Sequence, residues 1–206
     1  MHRLPAQSEL PFRSHGGRRK GAGRKRGDRV SHAPRPKFDG PLPVHVTLRM
    51  GDHVWNLRSQ RSFRRIKACL EQAKARLGCR LIEFSVQGNH IHIVLEADSD
   101  DRLTRAVQGL CVRIAKALNS MMGRKGRVFD DHYHSRPLRT PTELVNAIAY
   151  VLGNAAHHHG GPPDNDPYSS ARARDVLAAP SGWLLRTGWR RARRIPPWLI
   201  ALRAAP

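Results

Sequence analysis

The chain has 206 residues, with 37 Lys or Arg against 16 Asp or Glu, a formal net charge of +21 at pH 7. This length suits one ordinary domain with extensions and excludes two large ones. So large a positive excess repels itself in the compact state and implies a polyanionic partner. No amphipathic apolar helix accompanies the basic runs, so nucleic acid is expected rather than a membrane surface.

Residues 1–43 are polar, basic and rich in Gly and Pro, and cannot bury enough apolar surface to fold alone. They are read as a flexible arm. Its "GGRRKGAGRKRG" stretch offers Arg18, Arg19, Lys20, Arg24, Lys25 and Arg26 to a phosphate track. A strand is expected over 44–50, where "VHVTLRM" alternates and is rich in β-branched residues. A helix follows over 62–78, with Phe63, Ile66, Leu70, Ala73 and Leu77 at helical spacing and Gly78 as its C-terminal stop. Strands over 79–87 and 90–97 are joined by a "GNH" turn. A second helix covers 99–123, with Asp100 and Asp101 at its start and an apolar stripe of Leu103, Val107, Leu110, Ile114 and Leu118. A fourth strand is expected within 126–139.

A third helix covers 140–160. Thr140 is its N-cap, Pro141 its first residue and Glu143 the partner in a capping box. The order β-α-β-β-α-β plus a helix is a ferredoxin-like α+β pattern with an antiparallel sheet and an additional C-terminal helix. The domain therefore spans 44–160. Residues 161–206 form a basic extension containing Pro and Trp, where Arg190, Arg191, Arg193 and Arg194 lie near Trp183, Trp189 and Trp198. Arg mixed with Trp suits both phosphate contact and stacking on unpaired bases, or docking of the tryptophans on the domain.

Cys69, Cys79 and Cys111 are odd in number and fit neither a zinc knuckle nor a disulfide framework, so they are expected as buried, reduced thiols in a cytoplasmic protein. No apolar run is long enough to span a membrane, and no secretion signal is expected.

The chemistry concentrates in "GNHIHIVLE". On a strand Ile91, Ile93 and Leu95 share one face, and His90 and His92 project together from the other. Neutral imidazole is the commonest metal ligand, but two are too few for an ion. The third helix supplies Tyr150 and, four residues on and on the same face, Asn154. Two imidazoles and an amide oxygen leave positions on a divalent cation open for substrate oxygens. The phenol can then attack a phosphorus atom.

With these residues in place, the chain resembles the single-tyrosine HUH transposases, in particular the REP-associated tyrosine transposase group. The resemblance covers roughly residues 40–160. It rests on "HVTLR", on "GNHIHIVLE" with His90-Ile91-His92, and on "FDDHYHSRPLRTPTELVNAIAYVLGNAAHH" with Tyr150 and Asn154. It implies cleavage and rejoining of single-stranded or hairpin DNA through a 5′-phosphotyrosine on Tyr150. It also implies Mg²⁺ or Mn²⁺ on His90, His92 and Asn154, action as a monomer or homodimer, and a place at the nucleoid. The family continues from its Asn into Pro and a basic residue. Here the run is "NAAHHHGG", and His157, His158 and His159 read as a polar helix end. The rival readings are a transposase-derived domain that binds structured DNA without cutting it, a metal-dependent nuclease that uses water as nucleophile, and an RNA-binding ferredoxin-like domain, which would want exposed aromatics where the central strands carry histidines.

Overall fold

The computed structural model describes residues 37–76 and 78–204. The six basic arm residues and Leu77 lie outside them. Strand β1 (Asp39–Arg49) leads to helix α1 (Gln60–Ala73), the short strand β2 (Ala75–Arg76), and strands β3 (Cys79–Val86) and β4 (His90–Ser99). Helix α2 (Asp100–Met122), strand β5 (His134–Pro137) and helix α3 (Pro141–His159) follow. Two short helices, α4 (Trp183–Arg186) and α5 (Pro197–Ala204), lie in the C-terminal segment.

The five strands form one antiparallel sheet in the order β2-β3-β4-β1-β5. Without the two-residue β2, this is the ferredoxin-like arrangement expected from the element order. Alternation assigns each face of the sheet. Val44, Val46 and Leu48 of β1 and Ile91, Ile93 and Leu95 of β4 pack beneath α1 and α2, whose Ile66, Leu70, Leu103, Val107, Leu110, Ile114 and Leu118 are all buried. On the opposite face Ile82 and Val94 meet Leu144, Val145, Ile148, Val151 and Leu152 of α3. The sheet is thus covered on both sides, and α3 is alone among the long helices on its face.

The boundaries of α3 follow the capping chemistry. Thr140 Oγ1 accepts from the Glu143 N–H at 3.2 Å, and Glu143 Oε2 accepts from the Thr140 N–H at 3.1 Å. Three other boundaries differ from expectation. Strand β1 begins at Asp39, because residues 39–43 pair with the end of β4, so the polar start extends a strand instead of ending an arm. Helix α1 stops at Ala73, and Gly78 does not cap it. Gly78 instead occupies the β2–β3 turn at φ +72°, a left-handed conformation that glycine adopts without strain. β2 is a fifth strand that the apolar pattern does not show, since Ala75 and Arg76 are both exposed.

The C-terminal segment is built into both cores: Ala173 and Val176 are buried with α1 and α2, and the stretch from residue 185 onward joins the α3 side. Leu185, Trp189 and Leu199 are buried there, with Trp198 partly buried against them. Three buried carboxylates fasten the segment. Glu83 accepts from Arg174 Nη1 at 3.0 Å and from Ser170 Oγ at 2.6 Å. Asp166 takes both arms of Arg58, at 3.1 and 2.8 Å. Glu96 is fully buried, pairs with Arg80, and accepts from the Ser181 N–H at 2.8 Å and the Gly182 N–H at 2.7 Å. A Cβ on residue 182 would stand 2.7 Å from Glu96 Oε1 and 3.3 Å from the Pro41 carbonyl oxygen, so this approach requires glycine.

Burial alone would raise the pKa of Glu96; hydrogen bonds from Ser181, Arg80 and Gly182 outweigh it, and the net shift is downward. Glu96→Ala should therefore cost about 3 kcal/mol or more, because Arg80 and two backbone donors lose their acceptor. Urea denaturation should show the loss, and hydrogen exchange should show residues 181–199 opening ahead of the sheet.

The three cysteines are free; Cys69 and Cys79 are buried and Cys111 half-buried. Burial pushes the Cys79 thiol up to about 11 and the Cys111 thiol up to about 12, which leaves both unreactive at neutral pH. Among the described residues no helix is long and apolar enough to cross a membrane.

Candidate active site

Strand register assembles the site. His90 and His92 project from the α3 side of β4, and their ring centroids lie 4.7 Å apart. The pairing of β1 with β4 puts Arg49 opposite His90, Thr47 opposite His92 and His45 opposite Val94. His45 and Thr47 therefore join the same face. His45 Nε2 and Thr47 Oγ1 each stand 3.2 Å from His92 Nδ1. In the sequence His45 is one more residue of an expected strand. Its only signal there is the alternation of "HVT", and its meaning depends on which strand lies beside β1.

Tyr150 comes from the middle of α3. Its ring makes edge contacts with His92 at 5.1 Å and with His45 at 5.9 Å between centroids, yet the side chain is 54% exposed. The phenol thus sits against the imidazoles while remaining open to an incoming strand. Asn154, one turn further along the same helical face, is only 5% exposed. Tyr133 and Tyr168 lie elsewhere, packed against the α1–α2 core. The Tyr133 hydroxyl is 3.3 Å from Thr104 Oγ1 of α2. The Tyr168 ring meets Phe63 edge-on at 5.1 Å and lies beneath the Arg58 guanidinium at 4.6 Å.

The imidazoles are held neutral. Burial first, then the fields of His90 and His45, bring His92 down to about 3. Burial, then His134 and Arg136, bring His45 down to about 4. His90 is lowered by burial, by His158 and by Arg49. A neutral imidazole has a lone pair available to a cation without first losing a proton.

Two polar atoms on this face are buried without a partner among the described residues. One is His92 Nε2; the other is Oε1 of Gln87, whose amide nitrogen donates to Ser85 Oγ at 2.6 Å. Ser85 pairs directly with His92, and the Gln87 N–H bonds the His90 carbonyl at 2.8 Å, so Gln87 flanks the histidine pair. An orphaned imidazole nitrogen is costly unless something fills its lone pair. If His92 Nδ1–H donates to Thr47 or His45, Nε2 is left bare, the form in which a histidine binds metal. Among the described residues no group of three or more His, Cys, Asp or Glu is arranged around one point, so a third protein ligand would have to be an amide such as Asn154. His90 Nδ1 is engaged at 2.9 Å by Asn89 Oδ1, which orients its ring. The residues fit a divalent cation. Imidazole nitrogen mixed with amide and phosphate oxygen suits Mn²⁺, with Mg²⁺ served by the oxygens alone.

His157, His158 and His159 are exposed and contact one another along the end of α3, and the field of His158 reaches His90. Arg190, Arg191, Arg193 and Arg194 are all exposed on the C-terminal segment. The Arg190 guanidinium lies 5.2 Å from the Trp189 ring and that of Arg191 lies 5.3 Å from the Trp183 ring.

The depressed histidines make stability depend on pH. The unfolded chain takes up protons near pH 6.5, while the folded chain refuses them until about pH 4 at His45 and about pH 3 at His92. Stability from this source is fully present above pH 6.5 and falls as pH drops through that window, by up to about 1.4 kcal/mol per pH unit for each withheld proton. Denaturation midpoints measured without metal between pH 4.5 and 7 should fall toward acid, and His45→Asn should flatten the slope.

The family model for IS200-like transposases matches residues 43–151, just over half of the chain, including His45, Thr47, His90, His92 and Tyr150 but not Asn154. No curated protein sequence matches the chain at a significant level. Among solved structures, a REP-associated tyrosine transposase bound to a REP hairpin superposes with a TM-score of 0.56 at 15% identity, over 81% of this chain and 99% of that one. A Deinococcus radiodurans R1 protein assigned as a transposase matches with a TM-score of 0.42 at 15% identity, over 60% of this chain and 95% of that one. The first of these shares the fold, an antiparallel sheet with helices on both faces, and the sequence match carries the family: this chain belongs to the IS200-like transposases.

Proposed function

We propose that the protein cleaves and rejoins single-stranded DNA by transesterification, with Tyr150 as nucleophile and hairpin-forming DNA as substrate. The observation that carries this reading is the exposed Tyr150 ring packed edge-on against His92, whose Nε2 is buried without a hydrogen-bond partner.

His90, His92 and Asn154 would hold the cation, which supplies Lewis-acid polarisation of the scissile phosphate. The chain's own residues do the rest. Thr47 and His45 fix the His92 ring through Nδ1. Tyr150 Oη forms a bond to phosphorus and loses its proton. The P–O3′ bond breaks, and the departing oxygen gains a proton as a 3′-hydroxyl. The 5′ phosphate remains on the tyrosine as a diester, so the bond energy is kept, and attack by a 3′-hydroxyl reverses the step without ATP. The basic arm and Arg190, Arg191, Arg193 and Arg194 add phosphate contacts that raise affinity without specifying sequence.

Incubation with hairpin DNA and Mn²⁺ tests the reading. A 3′-labelled strand should become attached to protein through denaturation, a 5′-labelled one should be released with a free 3′-hydroxyl, and EDTA should stop both. Cutting without any adduct would favour water as nucleophile. DNA binding with neither would favour a silent DNA-binding protein.

A further inference from the structure

Trp55 is 49% exposed, in the loop between β1 and α1, and the guanidinium of Arg61 lies 5.6 Å from its ring. Arg64 and Arg65 are exposed one turn further along α1, and neither enters a salt bridge among the described residues. Asp52 is the one acid between residues 50 and 69. An exposed indole beside arginines without acidic partners offers stacking and positive charge together, the combination that suits unpaired bases on a phosphate backbone.

Position gives this patch its purpose. The Met50 N–H bonds the Asn89 carbonyl at 2.8 Å, and the Leu57 N–H bonds the Gly88 carbonyl at 2.9 Å. The Trp55 loop is thereby fastened to the two residues that precede His90. The same loop is tied to the segment that follows α2. Gly51 N–H bonds the Val128 carbonyl at 2.9 Å, and His53 Nε2 donates to the Arg127 carbonyl at 2.8 Å. Arg61 Nη2 also donates to the Met121 carbonyl at 3.2 Å. Those bonds bring the exposed Lys125 and Arg127 to the same end of the sheet. Trp183, the other exposed tryptophan with an arginine over it, is fixed through Gly182 to Glu96, six residues along β4 from His90 and so roughly 20 Å away.

We infer that Trp55, Arg61, Arg64 and Arg65, which lie on the α1 side of the sheet and not on the face that carries His90 and His92, form a subsite for unpaired DNA flanking the cleaved phosphate and reached around the β3–β4 turn. A base stacks on Trp55 and the arginines hold the neighbouring phosphates. The inference rests on the strand-transfer reading for the meaning of "flanking", but the patch can be tested without chemistry.

Binding is measured in EDTA for two DNAs, a blunt hairpin and the same hairpin with a single-stranded extension. Trp55→Ala should weaken binding of the extended hairpin by roughly tenfold and leave the blunt one unchanged. Trp183→Ala should affect the extended hairpin less. Arg64→Ala with Arg65→Ala should reduce the slope of log affinity against log salt on the extended hairpin, by about 0.7 for each phosphate that the variant no longer neutralises. Equal affinity of Trp55→Ala and wild type for the extended hairpin would overturn the inference. So would an equal loss on both DNAs, or a larger loss for Trp183→Ala. Wild-type adduct formation with Mn²⁺ is measured alongside: its absence counts against the transesterase reading and leaves the Trp55 comparison standing.

Discussion

Tyr150→Phe should abolish both strand cleavage and the protein–DNA adduct, a loss on the order of 10³-fold or more, while the protein stays folded and still binds DNA. The substitution removes one hydroxyl from a side chain that is 54% exposed. The ring remains, and with it the edge contacts to His92 and His45. A stability change of about 1 kcal/mol or less is therefore expected. Metal affinity should survive, because the proposed ligands His90, His92 and Asn154 are untouched. Tyr133 and Tyr168 cannot substitute, since both pack on the α1–α2 side of the sheet. Tyr168→Phe and Tyr133→Phe should accordingly keep cleavage. Thermal denaturation, Mn²⁺ titration and a gel assay on one set of samples would separate loss of chemistry from loss of fold.

His92→Ala should be as damaging to cleavage by a different route. It removes the unpartnered Nε2 and also the Nδ1 that His45 and Thr47 share. Mn²⁺ affinity should fall by at least the roughly 10- to 100-fold that removing a mere supporting partner costs. DNA affinity should be nearly unchanged, because phosphate contacts by Arg and Lys supply most of it. His90→Ala should act in the same direction. The His92 variant should also lose part of the acid lability of the wild type, since one withheld proton is gone. Mn²⁺ binding by calorimetry and denaturation at pH 5 and 7 measure the two effects independently. Unaltered metal affinity in both alanine variants would remove these histidines from the proposed metal site.

The strongest local patterns are legible in the sequence. Alternation in "HIHIVLE" places the two histidines on one face of a strand, and the four-residue spacing of Tyr150 and Asn154 places them on one face of a helix. The capping box locates the start of that helix to the residue. What stays hidden depends on pairing between distant segments. His45 and Thr47 reach His92 through the register of β1 on β4, and that register is not written in any one segment. Gly78 reads as a helix stop and proves to be a turn, because a glycine after an apolar helical stripe serves equally as either. The integration of the C-terminal segment is hidden because buried carboxylates on β3 and β4 hold it. Charged residues in strands read as solvent-facing until their partners are known. Trp189 packs inward and Trp183 faces outward, although both sit among arginines.

The most direct measurement is the chemical identity of the attachment site. Wild-type protein is incubated with Mn²⁺ and hairpin DNA, the adduct is digested with protease and nuclease, and the nucleotide-bearing peptide is sequenced by mass spectrometry. The account predicts a 5′-phosphodiester on Tyr150, in the peptide that contains Asn154 four residues later. A modification mapped to Tyr133 or Tyr168, or strand cleavage with no modified peptide at all, would contradict it.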